Sequence, residues 1–196
     1  MKSKSPLQYR VFRAFYKKAA LTMCEECREF IKPNSKILDF GCGSGTVGLE
    51  FGKYFNSEIL GIDIIDNRVE SIPFREYDGG NLSFLPDNSF DTVMINFVLH
   101  HTKDPKAALK EAARVAKHNI IIYENLPEGI ISKILCKLHG ASFAYLFQKN
   151  DNEGHFFTRS EWKNIFDELS LKLIYDKNET GFQPMKKVLF VLEKQI

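Results

Sequence analysis

The stretch Ile37-Leu38-Asp39-Phe40-Gly41-Cys42-Gly43-Ser44-Gly45 constrains this chain more than any other. An apolar run enters a carboxylate and passes at once into three glycines at alternate positions. That is the pattern of a buried strand turning sharply into a helix whose first N–H groups face a ligand. Two phosphate-binding patterns fail here. Gly45 is followed by Thr46-Val47 where a Walker loop needs Lys-Ser or Lys-Thr, and a GxGxxG fingerprint would need glycine at position 46. What remains is GxGxG with Asp39 two residues ahead of the first glycine.

A carboxylate beside a pyrophosphate is repelled, whereas a carboxylate beside an amino group and a sulfonium is attracted. S-adenosylmethionine carries both, and its methionine carboxylate can still accept N–H groups from the turn and the helix start. A second acid, Asp63, closes Glu58-Ile-Leu-Gly-Ile-Asp63, the place where nucleotide-binding sheets set an acid against ribose hydroxyls. Ile64 and Ile65 follow, suited to lie against adenine. Tyr77-Asp78-Gly79-Gly80 stands after the third strand, where Asp78 can accept from the adenine amino group.

The rest of the chain reads as strands alternating with helices. An amphipathic helix is expected over residues 7–31, ended by Pro33-Asn34, then strands at Lys36 to Phe40, Glu58 to Asp63, Pro73 to Tyr77, Phe90 to Asn96 and Asn119 to Glu124. Asp104 and Pro105 open a helix as N-cap and first residue, and Thr158-Arg-Ser-Glu161 is a capping box for a helix through Leu169. Two closing strands, Leu171 to Lys177 and Lys187 to Glu193, flank a Gly181-to-Pro184 turn. This order predicts an α/β fold: a Rossmann-like, doubly wound, mostly parallel sheet of seven strands with one antiparallel strand and helices on both faces.

With its glycine turn, its LGID strand, LPDNSFDTVMINFVLHH and DPKAALKEAARVAK followed by a strand, the chain resembles the class I S-adenosylmethionine-dependent methyltransferases, within them the type 11 methyltransferase domain group. The likeness covers residues 35–124. It implies methyl transfer from S-adenosylmethionine, leaving S-adenosylhomocysteine, with Gly41, Gly43 and Gly45 near the cofactor, Asp63 on ribose and Asp78 on adenine. The expected cofactor set is Asp39, Gly41, Cys42, Gly43, Gly45, Asp63, Ile64, Asp78, Gly79 and Asn96. Two departures stand out. The segment from Asp78 to Pro86 is stretched where relatives keep a compact Asp-x-x-x-Leu-Pro-Phe, and Lys117-His118-Asn119 replaces a Lys-Pro-Gly-Gly turn.

His100 and His101, at the end of strand four, are the candidate catalytic residues, as a base for a hydroxyl acceptor. Methyl transfer at an activated sulfonium needs no base, because alignment can suffice. Tyr123, Glu124 and His155 also stand where an acceptor is expected. The long connection from Asn125 to Phe157 is apolar enough for a helix, and is expected to act as a lid over an acceptor pocket beyond the strands' carboxyl ends. The chain thus reads as one methyltransferase domain over residues 1–196: an N-terminal helix (1–34), the cofactor core (35–124), the lid-like insertion (125–157) and a C-terminal helix and hairpin (158–196).

Composition narrows the partners. Lys and Arg number 27 against 25 acids, a formal charge of +2, so no global attraction to DNA or anionic membrane is expected, and Arg10, Arg13, Lys17 and Lys18 read as a solvated helix face. Asn96-Phe97-Val98-Leu99 lacks the Asn-Pro-Pro-aromatic stretch of base-amino methyltransferases. Cys24 and Cys27 have no second cysteine pair, so no metal ligand and no disulfide is assigned. No run is long enough to span a bilayer and the N-terminus lacks a signal-like core, which predicts a cytoplasmic protein, monomer or homodimer. The expected acceptor is a small, partly apolar molecule. Protein or RNA methylation, or a non-catalytic cofactor-binding subunit, remain the alternatives.

Overall fold

The computed structural model describes residues 11–146, 154–178 and 185–194. Helix α1 (Arg13–Cys27) leads into β1 (Lys36–Phe40), α2 (Thr46–Tyr54), β2 (Glu58–Asp63), β3 (Phe74–Glu76) and β4 (Phe90–Asn96). A 3-10 turn (Leu99–His101) precedes α3 (Pro105–Val115), β5 (Ala116–Leu126), α4 (Ile130–Leu146), α5 (Arg159–Glu168), β6 (Leu171–Asn178) and β7 (Lys186–Lys194). The seven strands form one sheet in the order β3-β2-β1-β4-β5-β7-β6, with β7 antiparallel to both its neighbours. The expected architecture is the observed one.

Successive residues of a strand face opposite sides, so a sheet covered on both faces needs apolar side chains throughout. Ile37, Met94, Ile121, Tyr123, Leu189 and Val191 face one side and pack with Met23, Cys24 and Cys27 of α1 and Phe51 of α2. Leu38, Phe40, Val93, Ile95, Ile120, Ile122, Val188 and Phe190 face the other, under Leu109 and Ala112 of α3 and Trp162 and Phe166 of α5. Cys24 and Cys27 are free thiols at 0% exposure, and burial is the first cause pushing each up to about 12. Two small side chains one helical turn apart serve packing there.

Strand order reverses between β1 and β4, since β1 leads outward to β2 and β3 while β4 leads the other way. Such a switch point opens a crevice at the carboxyl ends of the two strands. The glycine turn leaves β1 and Asn96 ends β4, so both stand at its mouth.

Several boundaries differ from expectation. The first helix ends at Cys27 and residues 28–30 form a turn, while residues 7–10 lie outside the described ones, as does the Gly181–Pro184 turn. Helix α3 stops at Val115 and β5 starts at Ala116 with no loop between them. The reason is tertiary: Arg114 donates to the Leu82 and Leu85 carbonyls, and the Arg114 and Val115 carbonyls accept from Asn88 and Ser89. The capping box at Thr158 forms as read, with Glu161 returning the bond.

Candidate active site

After Phe40 the chain turns on three left-handed residues, Gly41, Gly43 and Gly45, with φ of 77°, 48° and 75°. A side chain is costly in that region, and at Gly41 there is also no room. A Cβ there would overlap Cγ2 of Val98, so the chain leaving β4 presses directly on the turn. Phe97, just before Val98, adopts φ 59°. A bulky residue is strained there, and it persists because its N–H bonds to the Tyr123 carbonyl at 2.8 Å.

Asp39 and Asp63 flank this turn. Asp63, half-buried at the end of β2, accepts from the Gly43 N–H at 2.8 Å and from the Ile64 N–H at 2.7 Å. Asp39 is 1% exposed, and its Oδ2 has no hydrogen-bond partner. Helix α2 lies close over it: a Cβ at Gly48 would fall 2.7 Å from that oxygen. Burial, and next the Asp63 charge, push the Asp39 carboxyl up to about 7, and the nearby Gly48 N–H and Asn96 amide oppose the rise. Both amide atoms of Asn96 are likewise buried without a hydrogen-bond partner. Three buried polar atoms at the mouth of the crevice thus have unmet bonding capacity, which native interiors seldom leave without a use.

The other cofactor candidates gather beside Asp63. Tyr77 N–H bonds the Asp63 carbonyl at 3.1 Å, which brings the end of β3 alongside. Asp78 is exposed and accepts from the Gly80 N–H at 2.8 Å. Gly79, at φ 83°, approaches Ile64 so closely that a Cβ would meet Ile64 Cγ2 at 3.3 Å. Cys42 is 7% exposed beneath the turn, against Gly61, and burial raises its thiol far above the ordinary range. Arg13 pairs with Glu70 at 2.5 Å, and the Val69 and Glu70 N–H groups bond the Ser44 carbonyl. Part of the basic face of α1 is therefore tied to the loop that supports the turn.

His100 and His101 follow β4. His100 is 1% exposed, its Nδ1 lies 2.5 Å from Glu124 Oε2, and its Nε2 is buried with no hydrogen-bond partner. Glu124 stands on β5 beside β4, where the register pairs Asn96 with Tyr123. The alternation that brings Glu124 to His100 sends Tyr123 to the opposite face. There its hydroxyl donates to Glu26 at 3.1 Å. His155 is exposed, and its N–H bonds the His100 carbonyl at 2.8 Å.

Sequence reasoning missed His139. It lies on α4, with ring centroids 5.5 Å from His100 and 5.3 Å from His101, and burial is the first cause lowering its pKa. Phe156 stacks on His100 at 4.7 Å. Helix α4 turns Ser132 and Cys136 inward and leaves Ile130, Ile131, Ile134 and Leu138 at 54–81% exposure, so its isoleucine face points outward. Among the described residues no helix is long and apolar enough to cross a membrane.

Comparison with known proteins gives the same frame. The methyltransferase domain family matches residues 38–123. A demethylmenaquinone methyltransferase of Staphylococcus haemolyticus is 30% identical over 175 residues, covering 80% of this chain and 72% of that protein. An uncharacterized methyltransferase of Schizosaccharomyces pombe is 35% identical over 107 residues, 45% of this chain, and the match spans only 38% of that relative. In three dimensions the magnesium protoporphyrin IX methyltransferase of Synechocystis PCC 6803, solved with bound S-adenosylhomocysteine, superposes with a TM-score of 0.69 at 14% identity, covering 100% of this chain and 90% of that one.

Proposed function

This chain belongs to the S-adenosylmethionine-dependent methyltransferases, and from that premise we propose that it binds S-adenosylmethionine at the glycine turn and methylates a small, partly apolar acceptor. The observation that carries the cofactor reading is the pair of carboxylates on the turn. Asp39 is buried with an unmet oxygen and Asp63 holds a turn amide, so the crevice favours a cationic occupant and disfavours a pyrophosphate. The residues fit such a ligand.

In this reading Asp63 accepts from ribose hydroxyls, Ile64 and Gly79 border adenine, and Asp78 accepts from its amino group. Asp39 and Asn96 answer the amino and sulfonium end, while Gly41, Cys42, Gly43 and Gly45 form the floor, their own N–H groups held by the Ile62 and Cys42 carbonyls and by Asp63. The cofactor, when bound, supplies a methyl group already activated on sulfur. The chain's task is then to hold the acceptor atom in line and exclude water, which can supply most of the acceleration by proximity. His100 and His101 are assigned to the acceptor side, because the chain continues from Asn96 through Val98 to them.

A small acceptor with apolar character is supported by the S. haemolyticus relative, whose name specifies demethylmenaquinone. The segment from Asn125 to Phe157 is proposed to cover that acceptor. Calorimetric titration with S-adenosylhomocysteine, in competition with NAD, tests the cofactor reading. Displacement by NAD at comparable concentration would sink it. Methyl release from labelled S-adenosylmethionine across a panel of quinols, phenols and thiols then tests the acceptor class.

A further inference from the structure

The 3-10 turn after β4 and the middle of α4 bring His100, His101 and His139 together, and one ring nitrogen from each lies within 4.8 Å of the others. His100 is the best defined. Its Nδ1 faces Glu124 Oε2 at 2.5 Å, and Glu124 is itself 0% exposed, accepting also from the Asn125 N–H at 3.2 Å and the His100 N–H at 3.4 Å. A carboxylate accepts, so Nδ1 carries the proton and the lone pair resides on Nε2. That Nε2 is buried and unpartnered.

Packing alone accounts poorly for this arrangement. A buried acceptor with no donor is destabilising, and an aliphatic side chain in its place would avoid the loss. A general base accounts for it poorly too, since His100 is 1% exposed and closed over by Phe156, which stacks on its ring at 4.7 Å. An imidazole held by a carboxylate on one nitrogen, with two more imidazoles within reach of a shared ligand, is the arrangement of metal-ligating histidines.

We propose that His100 Nε2, His101 and His139 bind one divalent transition-metal ion of the zinc type, with Glu124 as the carboxylate that orients His100. A ligand set of imidazoles selects such ions over magnesium or calcium, which prefer oxygen. Metal–nitrogen distances of about 2.1 Å in tetrahedral geometry require the nitrogens to approach to about 3.4 Å, a small inward turn of rings on one helix and one short turn. Three protein ligands leave a fourth position open, as in sites that bind water or a reacting heteroatom and unlike closed structural sites. The cluster sits close to the glycine turn: the His101 N–H bonds the Val98 carbonyl at 2.8 Å, and Val98 presses on Gly41. Metal binding as argued here does not depend on the methyl-transfer reading.

The test uses the full chain, stripped by a chelator and titrated with zinc by calorimetry, and separately with cobalt(II), whose visible spectrum reports tetrahedral nitrogen coordination. One ion per chain is expected. His101→Ala and His139→Ala should each weaken zinc by at least about 100-fold, and Glu124→Gln, which leaves the ligands in place, by about 10- to 100-fold. S-adenosylhomocysteine binding should stay within about threefold in the His139→Ala chain, which checks that the variant is folded. Zinc binding that survives in both histidine variants, or a cobalt spectrum with thiolate charge-transfer bands from Cys24 and Cys27, would overturn the assignment. So would the absence of stoichiometric binding by the unaltered chain, a measurement that needs no variant to fold.

Discussion

Replacing Asp39 by Asn should make the ligand-free protein more stable above neutral pH while weakening its hold on S-adenosylmethionine. The folded carboxyl titrates at about 7 against an ordinary 3.8, burial being the main cause. Between those values the folded state keeps a proton that the unfolded state has lost, so stability falls as pH rises through the interval and stays low above it. One pH decade is worth about 1.4 kcal/mol, which makes the whole interval about 4 kcal/mol at most. The substituted amide would have the shape of the protonated carboxyl and no titration. The gain from Asp39→Asn should therefore be small near about pH 4 and grow to about 2–4 kcal/mol by about pH 8, or roughly 4–16 °C in melting temperature for a chain of this size. Cofactor affinity should fall about 10- to 100-fold, because the buried charge that destabilises the empty fold is the one that receives the cation. Thermal melts of both proteins across this pH range, with a calorimetric titration at the upper end, make the assay. Parallel melting profiles would refute the buried-charge argument, and unchanged affinity would refute the role given to Asp39.

Asp63→Ala should cost about one to two decades of S-adenosylhomocysteine affinity, since it removes a charged acceptor and releases the Gly43 N–H; calorimetric affinity within twofold of the parent would count against the ribose assignment. Gly48→Ala places a methyl 2.7 Å from Asp39 Oδ2, so α2 must shift, and a destabilisation of about 1–3 kcal/mol is expected by urea titration. The same experiment on Thr158→Ala should show a loss of about 0.5–2 kcal/mol with cofactor binding untouched, because the capping box lies at the start of α5, away from the crevice.

Most of the sheet was legible because buried strands announce themselves. Ile37-Leu38, Val93-Met94-Ile95 and Ile120-Ile121-Ile122 are apolar at every position, as a sheet covered on both faces requires. The junction of α3 and β5 was not legible: the good helix formers of Lys110 to Lys117 suit a longer helix, and the contacts that end it come from Leu82 to Ser89, distant in sequence. At the site, Asp39, the glycines and Asp63 could be read because each sits at a strand end whose place in the sheet is fixed. His139 could not. Its approach to His100 depends on how α4 packs back over β5, and nothing in the local spacing records that; Glu124 beside His100 needed the β4–β5 register as well.

The antiparallel strand β7 has a consequence for how the protein is made. It sits between β5 and β6, pairing with β5 over eight residues from Asn119–Glu193 to Leu126–Lys186, and it is the last described strand to leave the ribosome. Until it emerges, β5 presents an open, strongly apolar edge and β6 has no neighbour at all. Such an edge invites pairing between nascent chains, and the half of the sheet that carries Glu124 and the histidines is completed only once β7 has been made. A nascent chain halted after Asn178 should accordingly expose two sticky edges and recruit holdase chaperones, although every residue of the glycine turn and its two carboxylates has already been made.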